Sequence, residues 1–281
     1  MQQVVEVLKK TESFFDRSGI ESPKVEAEWL LASVLDCKRL ELYLQWDKPL
    51  QEDLLEQLRP LVKRRASGEP LQYVLGYSEF HDIRIAVAPG VLIPRPETEL
   101  LVEFILAHLR EIDSPRIVDL GTGSGAIALA LAKALPRARI LAVEKSSDAL
   151  VQARQNAETL GLRERVAFRS GDWLKDLSFE ADCIVSNPPY LTEEEWQAAR
   201  PEVKEYEPKD ALVAADGGTG DLRKIVRDAG DRLAPNGLLA LEMGIDHGPT
   251  MSALARDYGY GEVLVKNDDS GRERFLFARK G

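Results

Sequence analysis

The chain has 281 residues, enough for two domains or for one large domain with an extension. Its 44% hydrophobic and 30% charged content exclude extended disorder, and a formal net charge of −10 excludes a broad phosphate-tracking surface. Glu6, Lys9, Lys10 and Glu12 interrupt what would be the apolar core of a secretory signal. The longest apolar stretch, 126–132, is too short to cross a bilayer, so no membrane association is expected. Cys37 and Cys183 form no CxxC pair and sit among Leu, Val and Ile, which predicts buried thiols in a reducing cytoplasm. With three His and no paired Cys, no metal-ligand spacing is present, and no metal is expected.

The first ~70 residues read as short helices. Val4, Val5, Leu8, Phe14 and Phe15 recur at helical spacing, and Gly19 can close that helix. Ser22-Pro23 opens a second helix, with Glu26 completing a capping arrangement and Trp29, Leu30, Ser33 and Val34 as its buried face. A third, 52–66, carries Leu54, Leu55, Leu58, Leu61 and Val62, and its terminal Lys63-Arg64-Arg65 suits a helix C-terminus. Residues 1–75 hold 11 basic and 13 acidic side chains, a net of −2, so this helical bundle is not a basic nucleic-acid arm.

Between Gly68 and Pro94 the period changes. Ile83, Ile85 and Val87 alternate with Arg84 and Ala86, and Gly76 and Pro89-Gly90 supply turns, which predicts a β-hairpin joining two domains. From Pro96 onward helix and strand alternate. Apolar strands are legible at 116–120, 140–144, 166–170, 183–187 and 238–243, the pattern of an open parallel α/β sheet.

Gly121-Thr122-Gly123-Ser124-Gly125 follows the strand Ile117-Val118-Asp119-Leu120 directly and precedes a helix. The glycines allow a sharp turn and close approach of a ligand to the backbone. Glu144 closes the next strand, 23 residues after Gly121, where a carboxylate can hold the two hydroxyls of a ribose. Dinucleotide sites share that layout but space their glycines G-x-G-x-x-G, whereas Ala126 stands here where the third would fall. The G-x-G-x-G spacing preceded by Asp119 resembles the first motif of class I S-adenosylmethionine (SAM)-dependent methyltransferases, in which the acid serves the methionyl end. After the third strand, Trp173 is placed to stack on an adenine and Asp172 to accept from its amine; a core tryptophan and a helix-capping aspartate are the alternative.

Asn187-Pro188-Pro189-Tyr190 follows the next strand, and its two prolines stiffen the backbone at the carboxyl edge of the sheet. An amide or aromatic amine nitrogen is a poor nucleophile because its lone pair is delocalised. The Asn187 side-chain oxygen and the Pro188 carbonyl can hold both hydrogens of such an NH2 and turn the lone pair toward a methyl donor. Tyr190 can pack on the flat face of the group and exclude water. No base is needed before attack, so catalysis would rest on orientation and electrostatics.

With these residues the chain resembles the HemK/PrmC-type protein-(glutamine-N5) methyltransferases, which methylate the Gly-Gly-Gln glutamine of peptide-chain release factors. Gly68-Glu69-Pro70-Leu71-Gln72-Tyr73, Ile93-Pro94-Arg95-Pro96-Glu97-Thr98-Glu99, Tyr206-Glu207-Pro208 and Leu241-Glu242-Met243-Gly244 carry the similarity over nearly the whole length. The resemblance implies a Rossmann-like, mostly parallel seven-stranded methyltransferase domain at 96–281, a hairpin linker at 76–95, and a helical substrate-recognition domain at 1–75. It implies SAM as co-substrate, held by Gly121, Thr122, Gly123, Ser124, Gly125, Glu144, Trp173 and Asn187. Asn187, Pro188, Pro189 and Tyr190 would face the substrate, a release factor in the cytoplasm, with no direct nucleic-acid partner. Glu144 stands where the family commonly has Asp, and Ala214-Ala215-Asp216-Gly217-Gly218 departs from its usual glycine-led loop.

Three other readings compete. An adenine-N6 nucleic-acid methyltransferase needs the same Asn-Pro-Pro-Tyr geometry but is disfavoured by the acidic charge. Glycine spacing disfavours an NAD-linked oxidoreductase, and a noncatalytic SAM-binding module has no use for an NH2-orienting tetrad.

Overall fold

The computed structural model describes residues 2–175 and 177–281, which divide into two units. One runs up to Tyr77 and adds Pro201–Tyr206; the other comprises Ser78–Arg200 and Glu207–Gly281.

The first unit contains α1 (Val4–Arg17), α2 (Pro23–Val34), a 3-10 segment (Arg39–Gln45), α3 (Glu52–Ala66) and α4 (Leu71–Leu75). In α1 the buried stripe is Val4, Val7, Leu8, Thr11 and Phe15; Phe14, expected inside, is exposed. At 100° per residue Phe14 falls on the flank of that stripe. Gly19, at φ +76, follows the helix end and donates its N–H to the Asp16 carbonyl. In α2 the buried positions are Ala27, Glu28, Leu30, Leu31 and Ala32, whereas Trp29, Ser33 and Val34 are only half-buried. Ser22 makes no side-chain cap, and Glu26, one position beyond where a capping box would need it, accepts instead from the Arg65 guanidinium. Arg65 itself is buried, pairs also with Glu202 (3.1 Å) and donates to the Glu69 carbonyl (3.1 Å). The basic end of α3 is thus a structural ion-pair centre as well as a favourable helix terminus. Cys37, just beyond α2, is half-buried rather than enclosed.

The second unit includes, apart from Tyr77, the hairpin β1 (Tyr77–Phe80) and β2 (Ile83–Ala86). It continues through α5 (Pro96–Leu109), β3 (Arg116–Leu120), α6 (Ala126–Ala134), β4 (Arg139–Glu144), α7 (Ser147–Thr159), β5 (Val166–Ser170), β6 (Ala181–Ser186) and α8 (Glu193–Ala198). After α9 (Pro201–Tyr206), which groups with the first unit, come α10 (Gly220–Ala229), β7 (Leu233–Glu242), α11 (Gly248–Asp257), β8 (Tyr260–Asn267) and β9 (Glu273–Lys280). The seven-stranded sheet has the order β5-β4-β3-β6-β7-β9-β8, with β9 antiparallel to both neighbours and all other pairs parallel. Val118, Leu120, Ile184, Leu239 and Leu241 are fully buried, as strands covered on both faces require. Cys183, on the opposite face of β6, is fully buried too, and burial pushes its thiol pKa well above the ordinary value. The chain starts in mid-sheet at β3, runs outward to β5, then returns to β6 on the other side. That reversal makes the carboxyl ends of β3 and β6 the switch point at which open α/β sheets bind their ligands. Among the described residues no helix is long and apolar enough to cross a membrane.

Candidate active site

Sheet register brings the sequence-predicted residues into one row. Leu120 pairs with Val143 on β4 and Ser186 on β6; Ser186 pairs with Leu241 on β7, and Glu144 with Ser170 on β5. The residues just past those positions are therefore neighbours: Gly121, Glu144, Gly171, Asn187 and Glu242.

Gly121, Gly123 and Gly125 have φ of +67°, +57° and +87°, so the G-x-G-x-G spacing answers a left-handed backbone at alternate positions. Glu144 closes this loop: Oε2 accepts from the Gly123 N–H (2.8 Å), and Oε1 accepts from Lys145 and Ser146 N–H (2.8 Å each). A carboxylate has about four lone-pair directions, which leaves one on Oε2 for a ligand hydroxyl. Asn156 on α7 clamps the loop from outside, donating to the carbonyls of Ser124 (2.8 Å) and Ala86 (3.0 Å) and accepting from Ala86 N–H (2.9 Å).

Beneath the loop, Asp119 is fully buried. Its Oδ2 accepts from the Thr122 hydroxyl (2.5 Å) and the Ala128 N–H (3.2 Å), while Oδ1 is buried without a partner. Burial, with the charge of Glu144 adding to it, pushes the Asp119 carboxyl up to about 7 against those two hydrogen bonds. Thr122 and Ser124 are themselves buried, so the loop offers chiefly backbone to a ligand. Trp173, at φ +52°, lies against Gly121: a Cβ at Gly121 would stand 3.2 Å from the indole Cζ3. Its Nε1 donates to Asp221 (3.3 Å), and the ring packs on the hydrophobic cluster. Asp172 is exposed and accepts in a turn from Lys175 N–H (3.2 Å); no helix follows for it to cap.

At the β6 end, the Asn187 amide nitrogen donates to Thr98 Oγ1 (3.2 Å), in the first turn of α5. Thr98 donates to Glu242 Oε2 (2.6 Å), and the Tyr190 hydroxyl donates to Glu242 Oε1 (3.1 Å). Glu242 and Thr98 are 1% and 3% exposed. Burial and the neighbouring Glu242 raise the Tyr190 hydroxyl's pKa, keeping it protonated. Arg274 lies 5.9 Å from the Tyr190 ring centre. The tetrad's backbone is fixed as well: Tyr190 and Leu191 donate to the Leu212 carbonyl, and Ala214 N–H donates to Leu191. Gly218, at φ +80°, lies so close that a Cβ there would stand 2.3 Å from the Tyr190 carbonyl oxygen. The start of α5 is held by Glu207, which accepts from Arg95 (2.7 Å) and Ile93 N–H (3.3 Å).

Thr98, Glu242, Asn156 and Glu207 were not singled out as site residues by their sequence. Each is an ordinary polar residue until the topology joins it to a partner 32 to 144 positions away. No group of His, Cys, Asp and Glu among the described residues is arranged to hold a metal.

The architecture matches solved methyltransferases. A ribosomal protein L11 methylase from Lactobacillus delbrueckii subsp. bulgaricus superposes with a TM-score of 0.52 at 20% identity, over 70% of this chain and 86% of that one. A 16S rRNA N2 G1207 methyltransferase of T. thermophilus gives 0.54 at 22% identity, over 73% and 50%. Residues 95–202 match the family described as methyltransferase small domain. The chain is a class I SAM-dependent methyltransferase by fold. Residues 6–76 match the PrmC N-terminal domain. Proteins called release factor glutamine methyltransferase are 39% identical in Rhodopirellula baltica, over 99% of this chain and 96% of the relative, and 40% identical in Geobacter sulfurreducens, over 98% and 96%. This chain belongs to the release factor glutamine methyltransferase family.

Proposed function

We propose that this chain transfers a methyl group from SAM to the side-chain amide nitrogen of the Gly-Gly-Gln glutamine of peptide-chain release factors. The observation that carries the reading is the Asn187 amide, anchored by its nitrogen to Thr98 so that its oxygen is left to accept.

The residues present fit the cofactor. The unpaired, buried Asp119 Oδ1 lacks a donor that the ammonium of a methionyl group would supply. Glu144 would take a ribose hydroxyl through its remaining lone pair, Trp173 would flank the adenine, and Gly123, with open space around it, leaves room for close approach. When bound, SAM would supply an electrophilic sulfonium methyl, to whose carbon the amide nitrogen bonds as the C–S bond breaks and its electron pair returns to sulfur. Asn187 Oδ1 and the Pro188 carbonyl hold the two N–H hydrogens of the glutamine amide. They thereby favour a pyramidal nitrogen with its lone pair directed at the methyl carbon. Pro189 stiffens the platform, and Tyr190 covers the amide face against water. The extra proton leaves the methylated nitrogen for solvent.

The helical part, residues 1–75, would recognise the release factor; 76–95 would be the linker and 96–281, apart from the segment Pro201–Tyr206 that groups with the helices, the transfer domain. Such a substrate would put its work in the cytoplasm. The test is labelled methyl transfer from SAM to purified release factor, DNA and RNA offered together. Label is expected in release factor alone; label in nucleic acid would favour the adenine-N6 reading.

A further inference from the structure

An amide side chain presents an acceptor at one end and a donor at the other, and only one orientation of Asn187 suits an incoming NH2. Glu242, at the end of β7, decides between them. An ionised carboxylate has no hydrogen to give, so both hydroxyls around it must donate: Thr98 to Oε2 (2.6 Å) and Tyr190 to Oε1 (3.1 Å). Thr98 Oγ1 then has only lone pairs left for Asn187. The Asn187 end that meets Thr98 must be its NH2, at 3.2 Å, which turns Oδ1 the other way. Burial raises the Glu242 pKa, with Glu97 acting in the same sense. The Thr98 and Tyr190 hydroxyls and the charge of Arg274 oppose that rise in part, and both hydroxyls are placed to donate to the Glu242 oxygens.

Resting on the function proposed above, we infer that Glu242 and Thr98 are positioning residues that make Asn187 present its oxygen to the substrate amide. A reversed Asn187 would set one NH2 against another, with neither able to accept. The same carboxylate holds the Tyr190 ring in place, so one buried group orients both side chains that face the substrate.

Three variants of the full chain test this: Thr98→Val, which keeps shape but removes the hydroxyl; Thr98→Ser, which keeps the hydroxyl; and Glu242→Gln, which adds a donor. Steady-state methylation of release factor is measured alongside calorimetric SAM affinity and the melting temperature. Thr98→Val and Glu242→Gln should lower kcat about 10–100-fold, the usual cost of losing a supporting partner of an active-site group, with SAM affinity unchanged. Thr98→Ser should recover most of the rate that Val loses. Wild-type kcat in Thr98→Val or in Glu242→Gln overturns the inference. So does a Thr98→Ser variant as slow as Val, since the methyl rather than the hydroxyl would then matter. If Glu242→Gln fails to fold, the Thr98 pair decides. Absence of transfer by the wild-type chain overturns the functional reading and this inference with it; an active wild type with indifferent variants overturns the inference alone.

Discussion

Asp119 shows how one buried carboxylate can link cofactor binding to pH. Its pKa is pushed up to about 7, chiefly by burial, and an ammonium ligand prefers the ionised form. Binding should therefore release a proton, and SAM affinity should rise with pH until about 7 and then level off. Without ligand the sign reverses for stability: a raised carboxyl contributes most at acid pH, and that contribution is lost as pH rises through about 7. Calorimetric titration from pH 6 to 8, with Asp119→Asn as the flat control, checks the ligand arm. Asn187→Asp is the second residue-scale case. It removes the donor to Thr98 and adds a charge beside buried Glu242, so single-turnover methylation should fall by roughly 100-fold or more, as when an aligned active-site dipole is lost. Asn187 and the three loop glycines were legible in the sequence because their backbone demands leave few alternatives. The roles of Thr98 and Glu242 were not, because a Thr in a first helical turn and a Glu closing a strand are unremarkable until the fold joins two positions 144 apart.

Among elements, the glycine loop between β3 and α6 depends on neighbours more than on itself. Glu144 holds it from β4 and Asn156 from α7. Asn156→Ala removes three hydrogen bonds at a buried site, so denaturant unfolding should report a loss of about 3 kcal/mol, roughly 1 for each bond. The strands β3 to β6 were readable as apolar runs since both faces are covered. β8 was not: it is fully buried only at Tyr260, and the exposed Leu264 between half-buried Val263 and Val265 turns its alternation into a short apolar run. In α2 the sequence stripe through Trp29, Leu30 and Ser33 shares Leu30 with the buried one but misses Ala27 and Leu31. Glu28 is buried there because it accepts from Tyr43 (2.6 Å) and lies 3.7 Å from Arg39, a pairing that hydropathy does not register.

At the scale of the whole molecule, each unit has its own apolar cluster, and the first contains none of the cofactor or Asn-Pro-Pro-Tyr residues. A Gly-Gly-Gln loop offers few side chains to grip, so selectivity for an intact release factor must come from surface elsewhere. In the helical unit Leu40 and Leu44 are 73% and 86% exposed on one 3-10 segment. Leu40→Asp with Leu44→Asp should raise KM for intact release factor about 10-fold, as loss of a modest contact does, and leave the rate on a short Gly-Gly-Gln peptide unchanged. Equal rates on both substrates would remove this face from recognition. The central claim is that the platform at Asn187 delivers a methyl to a glutamine amide. Fragmentation mass spectrometry of release factor after reaction with the chain and SAM tests it most directly. One methyl on the side-chain nitrogen of the Gly-Gly-Gln glutamine is the result expected; a methyl on any other residue, or none, would contradict it.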